Sequence, residues 1–191
     1  MTVIVAARTE DGIVMACDSQ TSAGWHKMER DVPKLWVTGE WLFGAAGSVR
    51  AAQVVRHHTS WPKYRPDEEY DFEAFAVKKI IPAIRTAARD NGALETSAGI
   101  ESVGCSLLGV IDGNIVEFGH DGSVVCEPSG RMAIGSGYAQ ALGHLDAIDA
   151  NGVHWCENDV VNAVRAAIKT NGGCGGPVQV VNDVDMEIRT L

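Results

Sequence analysis

Blocks of strand-like sequence alternate with pairs of helix-like segments along this chain of 191 residues, and this order restricts the fold more than any other feature. Short turns such as Asp112-Gly113-Asn114 join apolar runs, which is typical of β-hairpins. Hairpins predict sheets that are mainly antiparallel. Helix pairs between the blocks predict helical layers outside two stacked sheets, and so an α+β fold built as a four-layer αββα sandwich.

Local patterns place the elements of the first half of the chain. One hairpin is predicted from Val3 to Cys17 and a second from Lys34 to Ala46. Ser48 is placed to cap a helix that continues to about His58. A longer helix is predicted from Asp71 to Asn91-Gly92, with a kink at Pro82.

The second half repeats the alternation. Strands are predicted over 103–111, 115–119, 123–126 and 132–134, followed by two helices that begin near Gly137 and Glu157 and by a final hairpin over 178–190. No internal repeat or low-complexity tract interrupts this order, so we expect one domain that spans residues 1–191.

Composition excludes several classes of function. The net charge of −9 disfavours binding to nucleic acid or to an anionic membrane surface. No apolar run approaches the ~20 residues of a membrane span, and the first residues do not form a signal peptide, so we expect a cytoplasmic protein. The five cysteines form no CxxC pair, and the six histidines have no metal-binding spacing. No lysine-ended phosphate loop occurs, so no cofactor and no metal are predicted.

Thr2 is the first residue with notable chemistry. If Met1 is removed, the Thr2 hydroxyl and a free α-amine lie on adjacent carbon atoms. An α-amine has a pKa of about 7.7–8.0 and can act as a base near neutral pH, which a hydroxyl needs to become a nucleophile. Position alone favours the simpler interpretation that Thr2 begins an edge strand.

The residues that follow Thr2 give it a context. The stretch TVIVAARTEDGIVMACDSQTSAG, residues 2–24, resembles the N-terminal hairpin of proteasome β-type subunits and of the bacterial HslV peptidase. Asp18 falls where that family has a catalytic aspartate, and Lys34 falls where it has an active-site lysine. The resemblance runs from Thr2 to about Ile188 and implies an N-terminal-nucleophile (Ntn) hydrolase fold.

The resemblance also implies roles for these residues. Lys34 would hold a positive charge beside the Thr2 hydroxyl and lower the pKa of that hydroxyl, and Asp18 would keep Lys34 oriented and charged. The alternative is a structural ion pair between strands. The three residue types together favour the catalytic interpretation.

The segment Phe43-Gly44-Ala45-Ala46-Gly47 is similar to a family segment at a strand end. By resemblance, Gly44 would donate its backbone N–H to the developing oxyanion, although a turn that needs glycine is the simpler interpretation. Leu42 and Ala46 would line a small apolar S1 pocket, with Ser22 as a further substrate-binding residue.

Ser136, within Gly135-Ser136-Gly137, resembles a family element in which a serine relays the proton of the threonine amine, and it could also cap a helix. Asn171 stands where the family has an aspartate and Cys174 where it has a serine. Asparagine can form hydrogen bonds but carries no charge, and cysteine is a weak donor. These changes could tune the amine, or could mean reduced or absent peptidase activity.

Taken together, these residues indicate a threonine-type endopeptidase that acts on peptides or unfolded proteins. The resemblance implies a homo-oligomeric ring that encloses its sites, often supplied by an ATP-dependent unfoldase. Two alternatives remain open at this point: a catalytically inactive proteasome-like assembly or scaffold protein, and an amidohydrolase of the same superfamily that acts on a small amide.

Overall fold

The computed structural model describes residues 1–23, 26–29, 32–68, 71–97, 99–149 and 154–191. The strands within these ranges are β1 (Ile4–Thr9), β2 (Gly12–Asp18), β3 (Gln20–Ala23), β4 (His26–Glu29), β5 (Leu35–Thr38), β6 (Trp41–Gly47), β7 (Glu95–Ser97), β8 (Ile100–Ser102), β9 (Cys105–Ile111), β10 (Asn114–Phe118), β11 (Val124–Cys126), β12 (Arg131–Ile134), β13 (Val178–Asn182) and β14 (Arg189–Thr190). The helices are α1 (Val49–His58), α2 (Phe72–Phe75), α3 (Ile81–Asp90), α4 (Tyr138–Asp149) and α5 (Glu157–Thr170), with a π-helical turn at Ala76–Ile80 between α2 and α3.

Two five-stranded antiparallel sheets form the centre of the described structure. The first sheet has the order β12-β1-β2-β13-β14 and the second has the order β11-β10-β9-β6-β5. Their inner faces pack against each other through apolar side chains, with Ile4 and Met15 from the first sheet and Leu42, Leu108 and Ile115 from the second. This contact removes one face of each sheet from water.

Helices cover the two outer faces. Helices α4 and α5 pack on the first sheet, where Leu145 and Val164 join a cluster with Val5. Helices α1 and α3 pack on the second sheet, where Val55 and Ile84 belong to the same cluster as Phe118. The layers are therefore helix, sheet, sheet, helix, and the predicted αββα fold is confirmed.

Most predicted elements are present. Three of the predicted hairpins form as β1–β2, β5–β6 and β9–β10. The Ser48 side chain accepts a hydrogen bond from the Ala51 N–H and caps α1 as expected. Near Pro82, where a kink was predicted, the helix contains the π-helical turn Ala76–Ile80. In a regular α-helix the proline ring would clash with the carbonyl of Lys78, which lies within this turn.

The sequence missed two short hairpins, β3–β4 and β7–β8. Both are rich in polar residues and lack the apolar alternation that marks a strand. The final hairpin is shorter than predicted, since β14 holds only Arg189–Thr190. Within the described part of the chain, none of the helices combines the length and apolarity needed to cross a bilayer.

Candidate active site

Thr2 lies two residues before the start of β1 and is 7% exposed. Its carbonyl oxygen accepts a hydrogen bond from the Gly137 N–H at 3.2 Å. Gly135, at φ +87°, packs against the same carbonyl so closely that a Cβ atom would lie 2.3 Å from the Thr2 oxygen. The Thr2 backbone is therefore held by the segment that joins β12 to α4.

A buried ion pair contacts the Thr2 hydroxyl. Lys34 Nζ lies 2.7 Å from Asp18 Oδ1 and 2.9 Å from Thr2 Oγ1. The Lys34 and Asp18 side chains are 5% and 0% exposed. An ammonium group can only donate, so Thr2 Oγ1 must be the acceptor in this contact, and the hydroxyl hydrogen is free to point elsewhere.

Backbone donors complete the shell of Asp18. The Val3 N–H donates to Oδ1 at 3.0 Å, and the Gly175 N–H donates to Oδ2 at 3.0 Å. The carboxylate thus accepts from Lys34 and from two chain segments that are far apart in sequence. Charge-assisted bonds of this kind are stronger than neutral ones, and they fix the position of Lys34 beside Thr2.

Ser136 lies on the nitrogen side of Thr2. Its Oγ is 3.4 Å from the Thr2 nitrogen and 3.5 Å from the Thr2 carbonyl oxygen. Asn171 Nδ2 donates to the Ser136 carbonyl at 2.7 Å, and Asn171 Oδ1 accepts from the Gly173 N–H at 2.9 Å. The amide of Asn171 therefore links the Ser136 segment to the turn after α5.

Cys174 is buried next to this group, and its N–H donates to the Asn171 carbonyl at 2.9 Å. Burial raises the pKa of the Cys174 thiol, the negative charge of Asp18 adds to the rise, and Ser136 and Lys34 partly offset it. The thiol is therefore neutral at neutral pH. A neutral thiol is a weak nucleophile, which disfavours Cys174 as the attacking group.

Gln179 is a residue whose role was not predicted from the sequence. This residue is 4% exposed on β13, and its Oε1 accepts hydrogen bonds from the Lys34 N–H at 3.1 Å and from the Cys17 thiol at 3.4 Å. Gln179 thereby fixes the backbone that carries Lys34. A lone glutamine in a strand resembles an outward-facing polar residue, so no pattern in the sequence could have identified it.

A cavity of about 430 Å³ opens beside Thr2. Its lining consists of Met1, Thr2, Ala46, Gly47, Ser106, Glu117, Ala133, Ile134, Gly135, Ser136 and Tyr138. A smaller cavity of about 50 Å³ on the side of Lys34 is lined by Ser22 and Gly47, among others. Two of the predicted substrate-binding residues, Ala46 and Ser22, thus line cavities that also contain Thr2.

Gly44 and Leu42 do not fit their predicted roles. Gly44 lies inside β6, paired with Leu35 and Leu108, and a Cβ atom there would lie 2.9 Å from the side chain of Ile4. It belongs to the packing between the sheets and lines neither cavity. Leu42 is fully buried in the same inter-sheet core. Two residues separate Gly44 from Gly47, which ends β6 and lines both cavities together with Thr2.

Glu117 and Ser106 line the larger cavity but were not identified from the sequence. The signal for Glu117 was present in Ile115-Val116-Glu117-Phe118, where a single acid interrupts an apolar strand. In strict alternation, Glu117 shares a face with Ile115 rather than with Val116 and Phe118.

Two antiparallel sheets between helical layers, with a buried threonine before the first strand, define the Ntn-hydrolase fold. BPH from Thiobacillus denitrificans, in complex with epoxomicin, is 20% identical and has a TM-score of 0.76 over 99% of this chain and 98% of its own. HslV from Trypanosoma brucei is 19% identical, with a TM-score of 0.64 over 94% of this chain and 99% of its own. Anbu from Hyphomicrobium sp. strain MC1 is 19% identical, with a TM-score of 0.67 over 99% and 86%.

At these identities the likeness establishes the fold that this chain shares with HslV and Anbu structures. No family model matches the chain, and a search of curated proteins found no match to it.

Proposed function

We propose that this protein is a threonine endopeptidase of the proteasome-like type, with Thr2 Oγ1 as the nucleophile once Met1 is removed. One observation carries the proposal: Lys34 Nζ bridges Thr2 Oγ1 at 2.9 Å and Asp18 Oδ1 at 2.7 Å in a buried setting. This contact places a positive charge beside the proposed nucleophile, where it can stabilise the negative charge that develops on Oγ1.

The proposed reaction begins at the Thr2 nitrogen. The free amine takes the hydroxyl proton, and Oγ1 attacks the substrate carbonyl carbon while the carbonyl electron pair moves to oxygen. The positive charge of Lys34 stabilises the negative charge that develops on Oγ1. When the tetrahedral intermediate collapses, the C–N bond breaks and the protonated amine gives its proton to the leaving nitrogen.

The acyl group is then an ester on Thr2 Oγ1. A water molecule gives a proton to the same amine and attacks this ester. The proton returns to Oγ1 as the acyl product leaves as a carboxylic acid, which regenerates the enzyme. No cofactor takes part in either half of this scheme.

We assign the oxyanion contact to the backbone N–H of Gly47 instead of Gly44. Gly47 ends β6, lines both cavities around Thr2 and has φ +128°. A Cβ atom there would lie 2.7 Å from the Gly104 carbonyl oxygen, so glycine is required at this position. A preorganised N–H donor of this type is typically worth about 10²–10³ in rate.

Met1 controls whether this chemistry is available. While Met1 is present, the Thr2 nitrogen is an amide and cannot accept a proton. Met1 also lines both cavities, and its side chain lies over Gly173. Its removal would therefore free the base and enlarge the space beside the nucleophile.

The test compares wild type with Thr2→Ala and Thr2→Ser, using fluorogenic peptides and intact-mass measurement of each protein. Thr2→Ala removes the nucleophile, so turnover should fall by at least about 10³-fold, whereas Thr2→Ser keeps a hydroxyl and should retain measurable turnover. Thr96→Ala, on an exposed position of β7, is the matched control and should keep wild-type turnover.

Equal turnover in wild type and Thr2→Ala would contradict the proposal. Absence of peptide turnover in a protein that has lost Met1 would favour the assembly or scaffold alternative, and turnover confined to small amides would favour the amidohydrolase. Epoxomicin, present in the Thiobacillus complex, gives a second readout, because it should inhibit turnover here if the two cavities are equivalent.

We also propose that the chain assembles into a homo-oligomeric ring that receives unfolded protein from an ATP-dependent unfoldase. The likeness of fold to HslV supports this part of the proposal.

A further inference from the structure

Glu117 lies on the face of β10 that packs between the two sheets, where apolar side chains are expected. Ile115, two residues earlier, lies in the core between the sheets, while Val116 and Phe118 pack on the helical side. Alternation along the strand therefore directs Glu117 to the inter-sheet side, and its register partner Leu108 belongs to the same inter-sheet core. Carboxylates are rarely placed on such a face without a partner.

No partner for this carboxylate is found among the described residues, where the Glu117 side chain forms neither a hydrogen bond nor an ion pair. Partial burial raises the pKa of Glu117, the negative charge of Asp121 adds to the rise, and His120 partly offsets it. A half-buried, unpaired carboxylate lowers stability when it is charged. A cost of this kind is characteristic of residues kept for binding or catalysis.

Glu117 lines the same cavity as Thr2. The apolar part of the lining includes Ala46, Ala133 and Ile134, and the Ser106 hydroxyl is a further polar group. Apolar walls suit the methylene stem of a lysine or arginine side chain, and a carboxylate suits its cationic end. Ala46, which was predicted to line a small apolar pocket, thus lines a cavity that also contains an acidic group.

We infer that Glu117 determines specificity by binding the cationic side chain of a substrate lysine or arginine immediately before the bond that is cut. This inference rests on the proposed function for the position of the cut, because the cavity is shared with the nucleophile Thr2. The acidic group of the cavity would pair with the incoming cation and so gain a partner, which it lacks among the described residues.

The first experiment measures kcat/KM for three peptides that differ only in the residue before the scissile bond, which is lysine, leucine or glutamate. Wild type should cleave the lysine peptide best and the glutamate peptide worst. Glu117→Gln keeps the shape of the side chain and removes its charge, so the lysine-to-leucine ratio should fall roughly 10- to 100-fold. Glu117→Lys should reverse the order of the lysine and glutamate peptides.

Glu95→Gln is the matched control, because it makes the same change of charge at an exposed position of β7 outside the cavity. Its lysine-to-leucine ratio should equal that of wild type. If wild type cleaves the lysine and leucine peptides equally well, or if Glu117→Gln keeps the wild-type ratio, the inference is wrong while the proposed endopeptidase function stands.

A binding arm covers the case in which no peptide is cleaved. Fluorescence polarisation on the Thr2→Ala protein would compare product-like peptides that end in lysine or in leucine, with and without Glu117→Gln. Tighter binding of the lysine peptide that is lost in the double variant supports the inference. Equal binding of both peptides overturns it, whatever the outcome for catalysis.

Acidification provides a third readout. Protonation of Glu117 removes the charge that attracts the substrate cation, so the lysine-to-leucine ratio should fall as the pH decreases. The fall should start at a higher pH than for an ordinary glutamate, because the pKa of Glu117 is raised. Titration of the Thr2 amine affects both peptides and cancels in the ratio. The ratio of Glu117→Gln should not follow this decline, and a wild-type ratio that is independent of pH would contradict the inference.

Discussion

At the scale of single residues, Asp18 and Lys34 form one ion pair but differ in how much of the site depends on them. The Asp18 carboxylate accepts from Lys34 Nζ and from the N–H groups of Val3 and Gly175. The Lys34 ammonium has Asp18 and the Thr2 hydroxyl as its partners. Replacement of Asp18 by asparagine would therefore leave a buried ammonium without its carboxylate, and one of the two backbone N–H groups would face the side-chain NH2. Loss of Lys34 leaves a carboxylate that keeps both backbone donors.

This difference predicts unequal losses of stability. Breaking a buried pair by removing one charge typically costs about 3–5 kcal/mol, and we expect Asp18→Asn to fall in that range. Lys34→Met should cost about 1–3 kcal/mol less, because the remaining carboxylate is still hydrogen-bonded. Urea unfolding of both variants measures the free energies. A larger loss for Lys34→Met would show that the backbone donors contribute little to Asp18.

Both substitutions should also abolish peptide turnover, since each disrupts the ion pair that holds the positive charge of Lys34 beside Thr2 Oγ1. A structural ion pair between strands would lose stability in the same way but would leave turnover intact in variants that remain folded. Measurement of both quantities on the same preparations thus distinguishes the two interpretations of this pair.

At the scale of elements, two glycines on either side of the start of α4 have opposite requirements. Gly135 has φ +87° and packs against the Thr2 carbonyl, so that a side chain cannot be accommodated. Gly143 lies within α4, where an added Cβ atom would meet nothing within 4 Å. The first glycine is required by a close approach of two chain segments, and the second is not.

Gly135→Ala should therefore lower stability by more than about 2 kcal/mol and reduce turnover, because the backbone of Thr2 must move or the strained conformation must be relieved. Gly143→Ala should raise stability by about 0.5–1 kcal/mol through helix propensity and keep wild-type turnover. Thermal unfolding and peptide assays on both proteins provide the comparison. A stable, active Gly135→Ala variant would contradict the assigned geometry of Thr2.

The elements that could be predicted are those with a strong local signal. The β9–β10 hairpin follows from an apolar run, an Asp-Gly-Asn turn and a second apolar run, and α1 follows from a capping serine. The β3–β4 and β7–β8 hairpins were missed because their strands are polar and their pairing depends on the surroundings. The change at Pro82 was anticipated as a kink, but the local sequence does not distinguish a bend from a π-helical turn.

The candidate site was predictable in its centre and not at its edges. Thr2, Asp18 and Lys34 meet as the resemblance implied, with Ser136, Asn171 and Cys174 close to them. Gly47, Glu117 and Gln179 depend on strand register and on which face each side chain occupies. Gly44 and Gly47 both lie in β6, and which of them lies beside Thr2 depends on the register of this strand against its neighbours. The sequence alone does not determine that register.

At the scale of the whole molecule, the faces of the two sheets are covered by each other and by the helices. Some apolar side chains nevertheless remain at the surface. Ile100 and Val184 are 62% and 75% exposed. Contiguous apolar patches on a folded protein often mark contact surfaces between copies, whereas single exposed apolar side chains are common on monomers as well. They are compatible with the proposed ring, in which such groups would be covered by neighbouring chains.

A ring predicts a particle of several times the chain mass at micromolar concentration, with a single integral number of copies. Mass photometry or light scattering measures this directly on wild type and on Thr2→Ala, which should assemble equally because Thr2 lines a cavity within the single chain. A monomer in both proteins would contradict the ring and would leave the one-domain prediction for residues 1–191 untouched.

The position of Gln179 has a consequence for the chain during its synthesis. Gln179 on β13 holds the Lys34 backbone. Gly175, just before β13, holds Asp18. These two groups therefore depend on a segment that is synthesised 145 and 157 residues later, respectively. A polypeptide still emerging from the ribosome has no such support for its lysine and aspartate. The proposed hydrolytic activity would therefore arise only after synthesis has passed β13, which would protect the nascent chain and its neighbours from premature cleavage.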